Sequence, residues 1–136
     1  MDQNFYWAHY HLGLAYIFKG EISRGIEELR HAMLLDDDPA MLATMGYGYA
    51  ISGNTEEAEK ALVVLENLSS KRVISLYHFA TIYAGLGDSE KALEFLQRCV
   101  EHRDWELRSL KVHPFWDKLR DDPRFSELVK KVGLEK

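Results

Sequence analysis

The chain has a single cysteine, Cys99. No internal disulfide can staple the fold, so a reducing, cytoplasmic setting is the expectation. Three prolines and nine glycines in 136 residues exclude collagen-like or linker-dominated sequence. No apolar run approaches the ~18–20 residues that cross a bilayer. Residues 1–4 carry no basic stretch leading into an apolar one, so no secretory signal is read. Positive charge is scarce in the first half. Residues 1–70 hold 4 Lys and Arg against 11 Asp and Glu, whereas residues 71–136 hold 13 against 11. With a net charge of -5, the balance argues against general nucleic-acid binding. The acidic front reads first as solvated helix surface, and second as a face that attracts a basic partner.

Hydrophobic residues at 46% and charged residues at 29% are the balance of a globular chain, and the length suits one domain. An internal period dominates it. Three glycines, Gly20, Gly53 and Gly87, are 33 and 34 residues apart, each followed by a polar residue: Glu21, Asn54, Asp88. A tyrosine stands four residues before each: Tyr16, Tyr49, Tyr83. Further columns keep phase on both sides: Gly13, Gly46 and Ala80 before the stop; Gly25, Ala58 and Ala92, then Leu29, Leu62 and Leu96, after it.

Each unit predicts two amphipathic helices, because apolar residues recur at spacings of three and four. The first helices are expected over 4–18, 39–51 and 73–85, the second over 22–35, 55–68 and 89–101. The three glycines suit left-handed helix stops. Asn54, with Glu57 three residues on, suits a capping pair, and Asp88 a further cap. The small columns would let paired helices approach closely.

These columns resemble the tetratricopeptide repeat, a helix–turn–helix of about 34 residues. The resemblance implies an all-α, right-handed solenoid of three repeats, at about 5–38, 39–72 and 73–102. A C-terminal helical cap at 103–136 completes a single domain. It departs from the family at His9, Leu42 and Leu76, where tryptophan is common. The tail from Pro114 through Phe115, Trp116, Leu119, Asp122-Pro123 and Phe125 looks like one that closes such arrays in bacterial multidomain regulatory proteins. His113 departs from the acidic residue usual before that proline. Within the tail, 102–112 with Trp105, Leu107, Leu110 and Val112 predicts a short helix. Asp122-Pro123 opens a last helix that Gly133 is expected to stop. A solenoid exposes the flank of its last repeat, and Phe125, Leu128, Val129 and Val132 would cover it. No comparable cap precedes unit one, which suggests a piece of a longer array or an end covered by self-association.

In such a solenoid the first helices line a concave groove. By register, the resemblance implies a protein-binding surface of Trp7, Tyr10, His11, Leu14, Thr44, Tyr47, Ile74, Tyr77 and His78. Ile17, Phe18, Ala43, Ala50, Ile51, Thr81 and Ala84 extend it. None of these is Lys, Arg or Asn, so the family's carboxylate clamp is not expected. Three occupants suit so aromatic a groove: a partner peptide or helix, the chain's own tail or a second copy, or further repeats.

Catalytic and metal chemistry find no support. His9 and His11 diverge around a helix, and His31, His102 and His113 fall on outer or tail positions. Cys99 shares a column with Ala32 and Leu65 and reads as core. Asp36-Asp37-Asp38 lacks the alternation of a calcium loop. The expected function is therefore a non-enzymatic protein–protein interaction module without a cofactor, metal, nucleic-acid or membrane partner. Homo-oligomerisation is the alternative.

Overall fold

The computed structural model describes residues 4–104, 107, 110 and 113–134. Seven α-helices are described: α1 (Asn4–Phe18), α2 (Ile22–Leu35), α3 (Pro39–Ile51), α4 (Thr55–Ser69), α5 (Leu76–Leu86), α6 (Ser89–Glu101) and α7 (Pro123–Leu134). A 3₁₀ segment, Pro114–Leu119, precedes α7. Helices pack in sequential pairs, α1 with α2, α3 with α4 and α5 with α6. The pairs stack through α2 on α3 and α3 on α5. The result is an all-α repeat array.

One stop motif ends all three first helices. Gly20, Gly53 and Gly87 have φ of 91°, 87° and 80°. There the next residue's N–H reaches back to the carbonyl of the tyrosine five before it. Glu21 donates to Tyr16, Asn54 to Tyr49 and Asp88 to Tyr83, at 2.8, 2.8 and 3.0 Å. This is the six-to-one bond that satisfies otherwise orphaned helix carbonyls.

Caps explain the starts. Asn54 Oδ1 accepts from the Glu57 N–H and Asp88 Oδ1 from the Lys91 N–H. The Glu57 carboxylate instead engages Lys60 at 3.1 Å, so only half of the expected capping pair forms. All three prolines stand at the first position of a helical segment, and in each case the preceding side chain accepts from the N–H two residues on. Asp38 caps Ala40 at 2.9 Å, His113 caps Phe115 at 3.2 Å and Asp122 caps Arg124 at 2.9 Å. Proline has no N–H to satisfy there, and its fixed φ suits the turn. The departure at His113 thus keeps the cap, with Nδ1 as acceptor.

Two boundaries differ from expectation. The first helix of unit three starts at Leu76 rather than 73, because Ser75 Oγ caps the Tyr77 N–H at 3.1 Å. Gly133 lies inside α7 and stops nothing. Between α6 and the 3₁₀ segment, Arg103 adopts φ 54°. Hydrogen bonds then run from the Leu107 N–H to Asp104 O and from the Leu110 N–H to Leu107 O. Both are i to i+3 bonds, and Leu107 has 3₁₀ geometry; Trp105, Val112 and most of the short helix expected at 102–112 lie outside the described residues.

The core is continuous from Ile17 and Leu29 through Tyr47, Ala80 and Leu96 to Trp116 and Phe125. A Cβ added at Gly25 would lie 2.5 Å from Ile17 Cγ1 and 2.8 Å from the Gly13 carbonyl oxygen. In unit two the small residue serves the neighbouring unit as well as its own: a Cβ at Gly46 would meet Ile82 Cδ1 at 2.7 Å and Ala61 Cβ at 3.1 Å. Gly25→Ala therefore costs ~1–3 kcal/mol by overpacking. Gly133→Ala, where a Cβ meets nothing, gains up to ~1 kcal/mol of helix propensity. Urea midpoints of the two variants should fall on opposite sides of the parent's.

Candidate functional site

The expected groove falls into two parts in the structure. Over α3 and α5 it is closed by the chain's own 3₁₀ segment, which packs on α5. The Trp116 ring meets Tyr77 edge-on at 5.2 Å, and its Nε1–H donates to the Tyr77 hydroxyl at 3.1 Å. Phe115 meets Tyr47 at 4.7 Å and Phe18 at 5.6 Å. Tyr47 and Tyr77 are left 7% and 6% exposed, and Trp116 is fully buried. Thr44, Ile74 and His78 are buried as well. The Thr44 and Thr81 hydroxyls donate to the Ala40 and Tyr77 carbonyls of their own helices. Edge-on aromatic pairs add to area burial, and a buried indole N–H is costly without an acceptor.

Over α1 the face is open. Trp7 is 42% and Phe18 38% exposed. His11 is exposed, and Tyr10 and Leu14 are half-buried. Trp7 stacks on His11 at 5.7 Å and meets Tyr10 edge-on at 5.5 Å. Spacings of three and four place these side chains on one face of α1. Ile17 does not join them. It is buried, facing Gly25 and Gly48 between the first two pairs. Ala43, Thr81 and Ala84 are likewise buried, and Ala50 and Ile51 half-buried.

Between the two parts lies a cavity of about 80 Å³ lined by Tyr10, Thr44, Tyr77, His78, His113 and Phe115, among others. Burial lowers the pKa of His113 to about 4; Asp117 opposes this and Arg120 adds to it. Burial also lowers that of His78, against the pull of Asp38 and Asp104. Burial first, and then Asp117, raise that of Tyr47. A neutral His113 keeps the Nδ1 lone pair that caps the segment.

The other candidates resolve simply. Cys99 is buried in the core. His9 and His11 diverge, yet His9 stacks on His31 at 5.4 Å and bonds Glu28 at 2.7 Å. That pairing across α1 and α2 was missed in the sequence because the two residues are far apart in it. Among the described residues no group of three or more His, Cys, Asp or Glu side chains is placed to hold a metal ion. No described helix is long and apolar enough to cross a membrane. The tail's second anchor is α7, whose Phe125 and Leu128 are buried and which packs on α6. Arg124 fastens it to Glu90 at 2.9 Å.

The lowered histidines give stability a pH dependence. The unfolded chain takes up protons below about 6.5, whereas folded His113 resists them down to about 4, and His78 shifts the same way. Stability is therefore full above pH ~6.5 and falls as pH drops toward 4. Urea midpoints at pH 7 and pH 5 should show the loss. His113→Asn, which keeps a cap acceptor and cannot titrate, should show less of it.

No curated protein and no solved structure matches the chain. The family model of the tetratricopeptide repeat matches residues 8–39 and 73–101. The intervening unit shares the helix pairing, the tyrosine column and the left-handed glycine stop just described. The chain carries tetratricopeptide repeats at residues 8–39 and 73–101, packed as successive helical pairs in one array.

Proposed function

We propose that this chain is a non-catalytic adaptor that binds a peptide or helix of a protein partner on its concave face. Tetratricopeptide repeats are in general protein–protein interaction modules. The observation that carries the reading is the open aromatic strip on α1: Trp7, Tyr10, His11, Leu14 and Phe18. Large rings left in water beside a rigid helix are the usual anchors of interfaces. They run on into the covered part of the face through Phe18, which touches both Tyr47 and Phe115. Thr44, Tyr47, Tyr77 and His78 then form the floor beneath the tail, and a ligand entering from α1 meets them last, whereas Ile74 clusters with Leu62, Leu65 and Phe79 away from the tail. A face held by helix packing limits the ordering cost of binding. The likeness of residues 114–134 to tails of bacterial regulatory proteins supports a place in a larger regulatory assembly of that kind.

Trp7→Ala combined with His11→Ala should leave the helical signal and urea midpoint close to the parent's. The same change should weaken a captured partner by ~2 kcal/mol, roughly thirty-fold, by titration. Glu59→Ala with Lys60→Ala, exposed on α4, should change neither. Loss of binding in the α4 variant and not in the α1 variant would sink the concave reading.

A further inference from the structure

We propose that the segment 113–120 is a displaceable occupant of the concave face, and that the face's external ligand is a partner segment presenting the same proline-led pair of adjacent aromatic rings. This rests on the reading of the concave face as the binding surface. It adds the chemistry of the ligand and a built-in competitor.

The segment is held as a bound peptide is held. Its described backbone hydrogen bonds close on neighbouring tail residues: Phe115 N–H to His113 Nδ1, Trp116 N–H to His113 O, Arg120 N–H to Asp117 O. The Arg120 guanidinium also returns to the His113 carbonyl at 2.9 Å. It therefore arrives folded on itself and engages the array through side chains: Phe115 on Tyr47 and Phe18, Trp116 on Tyr77 with the indole hydrogen bond. A 3₁₀ turn of this length has little stability of its own. The cavity of about 80 Å³ under His113 and Phe115 shows that the fit leaves room.

Both flanks are secured independently. Upstream, Ser75 Oγ donates to Asp104 at 2.5 Å. Downstream, α7 is buried on α6 and tied by Arg124 to Glu90. The segment is thus a strap that can lift while both ends stay docked. What lies under it continues, through Phe18, into the open strip of Trp7 and His11. A partner segment with two adjacent rings can replace Phe115 and Trp116 and extend along α1 at once. The tethered competitor acts at millimolar effective concentration, so an external ligand must exceed it in length or contacts. The α1 strip supplies those contacts.

Two measurements test this. In the parent chain, hydrogen exchange by NMR should show the Trp116 indole N–H exchanging at least a hundred-fold faster than the Ile82 and Tyr83 amides of α5. A strap that lifts alone opens without global unfolding. Equal rates would overturn the proposal, since the strap would then open only when the array unfolds. In the second, a labelled octapeptide of sequence His-Pro-Phe-Trp-Asp-Lys-Leu-Arg is titrated into the parent and into Phe115→Ala with Trp116→Ala. Binding at least ten-fold tighter to the variant supports the proposal. A variant that keeps its helical signal and does not bind, or binds no better than the parent, overturns it. Tail exchange between two copies, seen as a dimer by light scattering, would replace the partner by a second copy and also overturn it. If the variant does not fold, the exchange rates decide. The adaptor reading fails separately, through Trp7 and His11 on α1, which stack on each other.

Discussion

Everything in this chain depends on turning a helix back on itself within three residues and then packing the pair tightly. The left-handed glycine is what permits the turn. At φ near 85° a side chain with Cβ is strained, and the tyrosine carbonyl five before the polar residue needs that residue's N–H. Once the chain has reversed, Gly13 and Gly25 let α1 and α2 approach until each glycine faces the other's carbonyl oxygen. The pair then has one apolar flank to offer, and the next pair covers it. Order is therefore built from local bonds and nearest-neighbour burial, as in other repeat arrays.

Such an array solves its stacking problem and leaves a second one. The first helices are apolar on two sides, and only one of those sides meets the partner helix. Met45 and Tyr49 go one way, and Tyr47 goes the other. Water is a poor neighbour for that second side, and here the tail covers it over α3 and α5 with Phe115 and Trp116. The tail thus does two jobs at two places. Its 3₁₀ segment covers Tyr47 and Tyr77, and α7 packs on α6. A plain end-cap would need only the second.

Much of this was legible in the sequence. The repeat columns located six of the helices to within a few residues, and the aromatic positions on the first helices could be picked out because their neighbours already filled the core. Ile17 was misjudged because a helical register gives direction and not depth. Its side chain lies against Gly25 and Gly48, and only the packing of three helices shows that the space there is closed. The covering of Tyr47 and Tyr77 was open among several occupants. Local propensity does not say where a segment beyond the last repeat will come to rest. The His113 cap was invisible for a related reason. Histidine is an acceptor only when neutral, and burial, which no local pattern encodes, is what keeps it neutral.

The end of the array reuses the device that made its turns. After α6 the Asp104 N–H returns to the Cys99 carbonyl at 3.0 Å, and Arg103 takes the left-handed φ of 54° that glycine takes elsewhere. The second helices of the first two units end differently. Each leads into a capped first helix, through Asp38-Pro39 or through Ser75, and so extends the stack. A left-handed stop at the end of α6 sends the chain off that path. Ser75 and Asp104 then join the entrance of unit three to its exit. From there the 3₁₀ segment lies across α5 rather than forming a fourth pair. A side chain with Cβ in that conformation stores a small strain, and burying Phe115 and Trp116 against Tyr47 and Tyr77 more than offsets it. The same bond that builds a hairpin of helices thus also decides where the hairpins stop, and by stopping them there delivers two aromatic rings to the face that needs cover.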